Sequence, residues 1–577
     1  MPFPLKSHWP LWLLALATAL PLAAQPAAPA DAAAPFPVSI TVDAAKTNGE
    51  LHRIWRFFGA DEPNYATMKD GRKLLGELGE IAPKEVYFRT HNLLNTGDGT
   101  PALKWGSTNA YTEDAQGNPV YNWTIVDHIF DTYIARGVHP YAQLGFMPEA
   151  LSSHPEPYQH EWRPGEDYGL ISAGWAYPPK DYKKWEELCY QWVKHCVERY
   201  GRSEVEQWYW EVWNEANGAS YWHGSPQDFY KLHDYAIAGV RRALPTARVG
   251  GADSAGAGGA FTEGFLTHCL TGTNFATGQP GTPLDFVSFH AKGSPSVING
   301  HVRMGISNQL RTFDGGFALV AAHPELKNTP IVIGESDPDG CAACTAAVYP
   351  SNNYRNGTLF ASYTAATFAR GQAIADLHGV NLEGALTWSF EFEDQPYFAG
   401  FRAIATNGID LPVLNVFRLL GKMSGQRVAA TSTGEIPLAT IMRDGVRGPA
   451  ADVGVFSSLA ANRLCVLVWH YHDDDVPGPA AAVNLALAGL PAAAAGARVT
   501  HYRIDETHSN AYTVWKAMGS PTGPNANQYR QLVAAGQLAQ LEAPAPLAVA
   551  NGAATLSFTL PRQAVSLLVI EWGPPAN

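Results

Sequence analysis

The chain has 577 residues, 46% of them hydrophobic, with 40 Lys and Arg against 53 Asp and Glu for a formal charge of −13. That length allows a large core and more than one domain. The acidic balance, with no run of like charge forming an arm or tail, excludes nucleic acid and anionic membranes as partners drawn by the overall field.

The N-terminus reads as an export signal. Lys6 is followed by an apolar stretch from Leu11 to Leu22 and then by small residues, the order of basic start, short apolar core and small-residue cleavage site. Cleavage is expected near Ala24 or near Ala34, and residues 1–34 are set apart as signal and linker. The apolar run is too short to span a bilayer comfortably and contains Pro21. Export to the periplasm or beyond the cell is therefore expected, with no membrane span in the mature form. Six cysteines are few for this length. Cys189 and Cys196 are spaced to share one buried helix face. Cys341 and Cys344 have no second pair beside them, so a loop disulfide or two thiols is expected rather than a metal site.

Pro37 to Val42 alternates like a strand and is expected to join the C-terminal region, which gives residues 35–49 a separate place. From 50 to 423, apolar strands alternate with amphipathic helices, the pattern of parallel βα units. Strand ends fall at Gly59-Ala60-Asp61, Phe88-Arg89-Thr90-His91, Leu144-Gly145-Phe146 and Trp213-Asn214-Glu215. Four more fall at Gly250-Gly251-Ala252, Phe289-His290, Gly334-Glu335 and Trp388-Ser389-Phe390. Helices are expected over 123–136, 182–200, 229–244 and 361–377 from their apolar stripes. Eight such units make a (β/α)8 barrel. Beyond Ser424 short β-rich runs follow, at 451–456, 463–470, 497–504, 554–560 and 564–572, and these predict a β-sandwich over 424–577. The expected fold class is α/β: a TIM barrel with an accessory β-sandwich domain.

Active sites of such barrels form at the carboxyl ends of the strands. Arg89, His91, Asn214, Glu215, His290 and Glu335 each close an apolar strand. A strand end facing solvent tolerates any one of them; six at the same end of one barrel make a site. Retaining glycoside cleavage needs one protonated carboxyl to donate and one ionised carboxylate to attack, about 5–5.5 Å apart, with their pKa values pushed apart. Glu215 ends the aromatic strand that begins at Trp208. Poor solvation there is expected to raise its pKa, which suits the acid/base. Asn214 beside it is a donor for a sugar hydroxyl. Glu335 closes the strand from Pro330, with Gly334 allowing close backbone approach. Arg89 and His290 are its expected partners, and it takes the role of nucleophile.

The segment Trp210-Glu-Val-Trp-Asn-Glu-Ala-Asn217 resembles the acid/base motif of glycoside hydrolase family 39, retaining barrels with catalytic glutamates ending strands four and seven. By the count above, Glu215 and Glu335 end those strands. Arg89-Thr-His91-Asn-Leu-Leu94 is similar to the strand-two motif, whose His contacts the sugar, and Asp285-Phe-Val-Ser-Phe-His290 to the strand-six motif. Trp388-Ser-Phe-Glu-Phe-Glu393-Asp394 resembles the strand-eight segment that supplies a stacking Trp and acids for sugar hydroxyls. The resemblance implies substrate-binding roles for His91, Asn214, His290, Lys292, Trp388, Glu393 and Asp394, with Arg89 supporting. Trp105 is a further pocket candidate.

The family contains β-xylosidases and α-L-iduronidases. His290-Ala-Lys292-Gly293 and Glu335-Ser-Asp337-Pro338 are closer to the iduronidase form, in which the Lys helps bind the sugar carboxylate. The strand-eight segment and Asn407-Gly-Ile-Asp-Leu-Pro412 resemble the xylosidases. Lys292 reads equally as a surface lysine or a partner of Glu393 or Asp394. The expected activity is that of an exo-acting β-xylosidase on xylo-oligosaccharides. The alternatives are a related glycosidase acting on a uronic acid or arabinosyl substrate, and a carbohydrate-binding barrel without catalysis. The mechanism calls for no metal or organic cofactor, and the expected partner is an oligosaccharide.

Overall fold

The computed structural model describes residues 34–101, 107–159, 165–166, 173–449 and 451–573. Residues 1–33, on which the expected export signal falls, and Trp105 lie outside the described residues. Among the described residues no helix is long and apolar enough to cross a membrane.

Strand β1 (Phe36–Glu50) precedes the barrel. The barrel strands are β2 (Phe57–Ala60), β3 (Val86–Thr90), β4 (Val138–Leu144), β5 (Tyr209–Val212), β6 (Arg248–Ser254), β7 (Phe286–His290) and β8 (Pro330–Glu335). The eighth barrel strand is broken at Leu386 into β9 (Asn381–Ala385) and β10 (Thr387–Trp388). β9 pairs in parallel with β8 and β10 with β2, so the sheet closes on itself. Neighbouring strands are parallel throughout. Almost every strand residue is buried, as expected for a sheet covered by helices outside and filled by its own side chains inside.

The helices between strands are set by local signals. Tyr182–Tyr200 starts where the Asp181 side chain accepts from the Lys183 and Lys184 amides. It buries Trp185, Leu188, Trp192 and Val193, together with Cys189 and Cys196. Pro226–Ala243 begins with a reciprocal Ser225–Asp228 capping box. Thr358–His378 stops at Gly379, which takes the left-handed conformation that glycine adopts without penalty. The first of these helices has the bounds its apolar stripe predicts, while the other two each begin three residues earlier than expected.

The C-terminal strands β11 (Gln426–Ser432), β12 (Asp452–Ala460), β13 (Arg463–Tyr471), β14 (Ala481–Ala488), β15 (Arg498–Ile504), β16 (Ala554–Leu560) and β17 (Val565–Glu571) form a second, mixed sheet. β1 lies inside it, antiparallel to β11 and parallel to β14. β11 and β12 share only two residue pairs, Gln426 with Leu459 and Arg427 with Ser458. The sheet turns there, and its two flanks enclose a core of Val38, Ile40, Leu485, Val453, Val466 and Ile570. The region is not all β. Helices Ala511–Ala517 and Ala526–Gly536, capped by Asn510 and Asn525, interrupt it. Leu532 of the second is buried with the barrel core, and the Tyr529 hydroxyl donates to the Asn407 carbonyl.

Candidate active site

The described residues enclose a cavity of about 260 Å³ at the carboxyl ends of the barrel strands, lined by Asp61, His91, Glu215, Tyr221, Lys292, Glu335, Gly340, Cys341, Trp388 and Arg402. Glu215 follows β5 and Glu335 ends β8, the fourth and seventh barrel strands. Carboxylate oxygens of the two lie within 4.8 Å of each other. The backbone before Glu215 is strained: Trp213 and Glu215 both have positive φ, 70° and 47°. The main chain holds them there, with the Trp213 amide donating to Leu144 at 3.1 Å and the Glu215 amide to Asp253 at 2.9 Å.

Lys292 is the contact that the sequence reading did not foresee. Its Nζ is 2.9 Å from Glu215 Oε1 and 2.8 Å from Glu335 Oε2. It is therefore neither a surface lysine nor a partner of Glu393 or Asp394. Burial alone would raise the Glu215 pKa, as the aromatic strand predicts. Lys292 and then His290 outweigh burial and hold it well below the usual carboxylate range. Glu335 is likewise buried, and Lys292, His290 and Arg402 keep it well below its ordinary value. Arg402 Nη1 donates to Glu335 at 3.0 Å. Arg89 and His290, the partners expected for Glu335, stand farther off at 3.9 and 3.8 Å.

Arg89 instead braces the barrel floor. Its Nε donates to Glu211 at 2.5 Å, its Nη2 to Asn214 Oδ1 at 3.1 Å and to Asp253, and its Nη1 lies 2.7 Å from His91 Nε2. Burial pushes Glu211 up to about 7 against the pull of Arg89. Since Arg89 donates to His91 Nε2, the remaining His91 proton sits on Nδ1, 3.1 Å from Asp61. His290 lies between two acids, with Nδ1 2.7 Å from Glu215 Oε1 and Nε2 2.9 Å from Asp253 Oδ1. Burial disfavours its charge, but Asp253 and Glu335 prevail and push its pKa up to about 9.

The structure brings His91, Glu215, Lys292, Glu335 and Trp388 to one cavity, with His290, Asn214 and Arg89 packed behind it. It does not bring Glu393 or Asp394 there. Glu393 Oε1 accepts from the Asp70 and Gly71 amides at the start of helix Lys69–Ile81, and Asp394 is exposed beyond it. The loop turns away after Phe392, and a carboxylate at a helix N-terminus satisfies free amides. Asp253 and Arg402 are missing from the sequence reading, and Asp337 appears there only within the Glu335-Ser-Asp337-Pro338 motif. Asp253 follows Gly250-Gly251-Ala252 as a polar residue on an apolar strand, the signal that marked the other strand ends. Arg402 lies in the long loop after β10, where no periodicity marks it.

The Cys341–Cys344 disulfide staples the loop after β8, with Cys341 on the cavity wall. Arg355 fixes that loop by donating to the Cys341 and Cys344 carbonyls. Among the described residues, Glu215, His290 and Glu335 form the one group with metal-ligand spacing. The Lys292 ammonium already bonds both of its carboxylates, so that charge is met within the protein.

A parallel barrel with two glutamates at one cavity, carried by strands four and seven, has the framework of a glycoside hydrolase. The chain belongs to glycosyl hydrolases family 39, whose family model matches residues 38–554. It is 26% identical over 506 residues to a β-xylosidase of Geobacillus stearothermophilus, covering 84% of this chain and 86% of that one. It is 27% identical over 581 residues to the α-L-iduronidase of Homo sapiens, covering 91% and 76%. The fold matches a family 39 enzyme from Xanthomonas axonopodis pv. citri with a TM-score of 0.71 at 22% identity, covering 94% of this chain and 98% of that one.

Proposed function

We propose that the chain is a retaining exo-glycosidase that removes β-1,4-linked xylose from xylo-oligosaccharides by double displacement. The observation that carries the reading is the approach of the Glu215 and Glu335 carboxylates to within 4.8 Å, on the retaining side of the division between retaining and inverting sites. Glu335, held ionised by Lys292 and Arg402, attacks the anomeric carbon. Glu215 must first take up a proton, which Lys292 and His290 oppose until substrate occupies the cavity; it then gives that proton to the leaving oxygen and later takes one from water. The compact cavity, with Trp388 on its wall, supports removal of one terminal sugar, and the β-xylosidase similarity supports xylose. Export belongs to the same proposal, since a disulfide beside the site fits an oxidising compartment.

One observation favours a second sugar. Lys292 and Arg402 both line the cavity, and two cations there would suit a uronic acid, as the iduronidase similarity also allows. An NMR time course on aryl xyloside, glucuronide and iduronide separates the readings. Xyloside should be turned over best, with the starting anomeric configuration appearing first in the product. The opposite anomer first would refute retention, and a preference for an aryl uronide would refute the xylosidase reading alone.

A further inference from the structure

Asp253 is linked to Glu215 in two ways, one direct and one through His290. Its main-chain carbonyl accepts the Glu215 amide at 2.9 Å. Its carboxylate accepts from His290 Nε2 at 2.9 Å, and His290 Nδ1 lies 2.7 Å from Glu215 Oε1. All of this is enclosed: the Asp253 and His290 side chains are wholly buried. The other Asp253 oxygen is taken by Arg89. Gly334, next to Glu335, makes the space for it. A Cβ at Gly334 would overlap Asp253 Oδ1 and crowd the His290 ring. The strand that carries Glu335 is therefore shaped around the side chain that steadies Glu215. Asp253 itself has φ +50°, a conformation Asp and Asn adopt more readily than most residues.

We propose that Asp253 is the positioning residue of the acid/base: through its carbonyl it fixes the Glu215 backbone, and through its carboxylate it orients His290 and keeps it charged against Glu215. The inference rests on the acid/base reading of Glu215. The charged groups around the relay are Lys292, His290 and Glu335 facing Glu215; Asp253, Glu215 and Glu335 facing His290; and Arg89 and His290 facing Asp253. Without the Asp253 charge, neutral His290 becomes the favoured form. An uncharged imidazole stabilises the Glu215 anion less, so Glu215 keeps its proton to higher pH. His290 is also among the cations holding Glu335 down, so Glu335 loses part of that hold as well.

The test is the pH dependence of kcat/KM on the aryl glycoside that the wild-type enzyme turns over best. Asp253→Asn keeps the shape and tolerates the backbone. It should move the alkaline limb up by about one pH unit, and the acid limb should rise with it because a neutral His290 also holds Glu335 down less. Asp253→Glu should return the limb toward wild type. A loss of kcat with the alkaline limb unmoved would mean that Asp253 only supports the fold, and the proposal fails. Should Asp253→Asn not fold, His290→Gln breaks the same link nearer Glu215 and must displace the limb in the same direction; an unmoved limb there also overturns the proposal. Glu215→Ala with azide tests the underlying reading by itself. A glycosyl azide with the substrate's own anomeric configuration upholds the acid/base role, and its absence removes that role whatever Asp253 does.

Discussion

The Arg402 guanidinium lies over the Trp388 indole, 4.8 Å from the ring centroid, while its Nη1 donates to Glu335. Asp337 ties the two together, its Oδ2 accepting from Arg402 Nε at 2.9 Å and from the Trp388 amide at 2.9 Å. The nucleophile and the aromatic wall thus share one cation, and a planar fork on a stacked ring is something lysine does not reproduce. Arg402→Lys should lower kcat/KM by about 10- to 100-fold, the value of one or two charge-assisted hydrogen bonds. Unchanged kinetics would show that Glu335 and Trp388 are held independently.

Lys292→Met separates the two substrate readings. If a uronide is the substrate, the loss of a charge-assisted bond of about 1.5–3 kcal/mol costs it one to two decades more than it costs a xyloside. Equal losses on the two aryl glycosides would remove the acidic-sugar reading. The variant should also move the acid limb. Lys292 is the first cation holding the Glu335 pKa down, so its removal raises that pKa, and activity should begin at higher pH than in wild type. An acid limb at its original position would contradict the pairing.

Glu391 is buried outside the cavity, and burial pushes its pKa up to about 8 from 4.5. Between those values the folded state binds a proton that the unfolded state has released. Its contribution to stability is therefore full below about 4.5, falls as pH rises, and is lowest above about 8. Glu391→Gln removes the titration, and its Oε1 can still accept the Gly408 amide that Glu391 accepts at 2.6 Å. Thermal unfolding at pH 9 should show a higher Tm for the variant, with the difference vanishing near pH 4. A difference that did not change with pH would refute the assignment.

The barrel was legible because each strand is an apolar run cut short by a polar residue, and Arg89, Glu215, His290 and Glu335 all stand where that cut falls. What the sequence left hidden is long-range. Lys292 reads as a lysine after a strand, and only the barrel order, with β7 between β6 and β8 and β5 one strand further on, puts its ammonium between two glutamates. Glu393 looked like a site acid from its spacing after Trp388, yet a free helix N-terminus lay nearer than the cavity. Asp253 carries the same local signal, but it stands one residue past Ala252, where the apolar run ends. Helix Ala526–Gly536 was absorbed into a β-rich reading, although its Asn525–Gln528 capping box was present in the sequence.

Strand β1 pairs with β11 and β14, whose nearest residues follow it by several hundred positions. A ribosome making 5–20 residues per second reaches those partners only tens of seconds after β1 has left it. Through that interval the barrel segments emerge and can close, while Val38, Ile40 and Val42 wait with their apolar faces uncovered. The order of synthesis thus makes the earliest strand one of the last to be seated. No single cut of the chain then yields a barrel free of a dangling strand together with a complete C-terminal sheet.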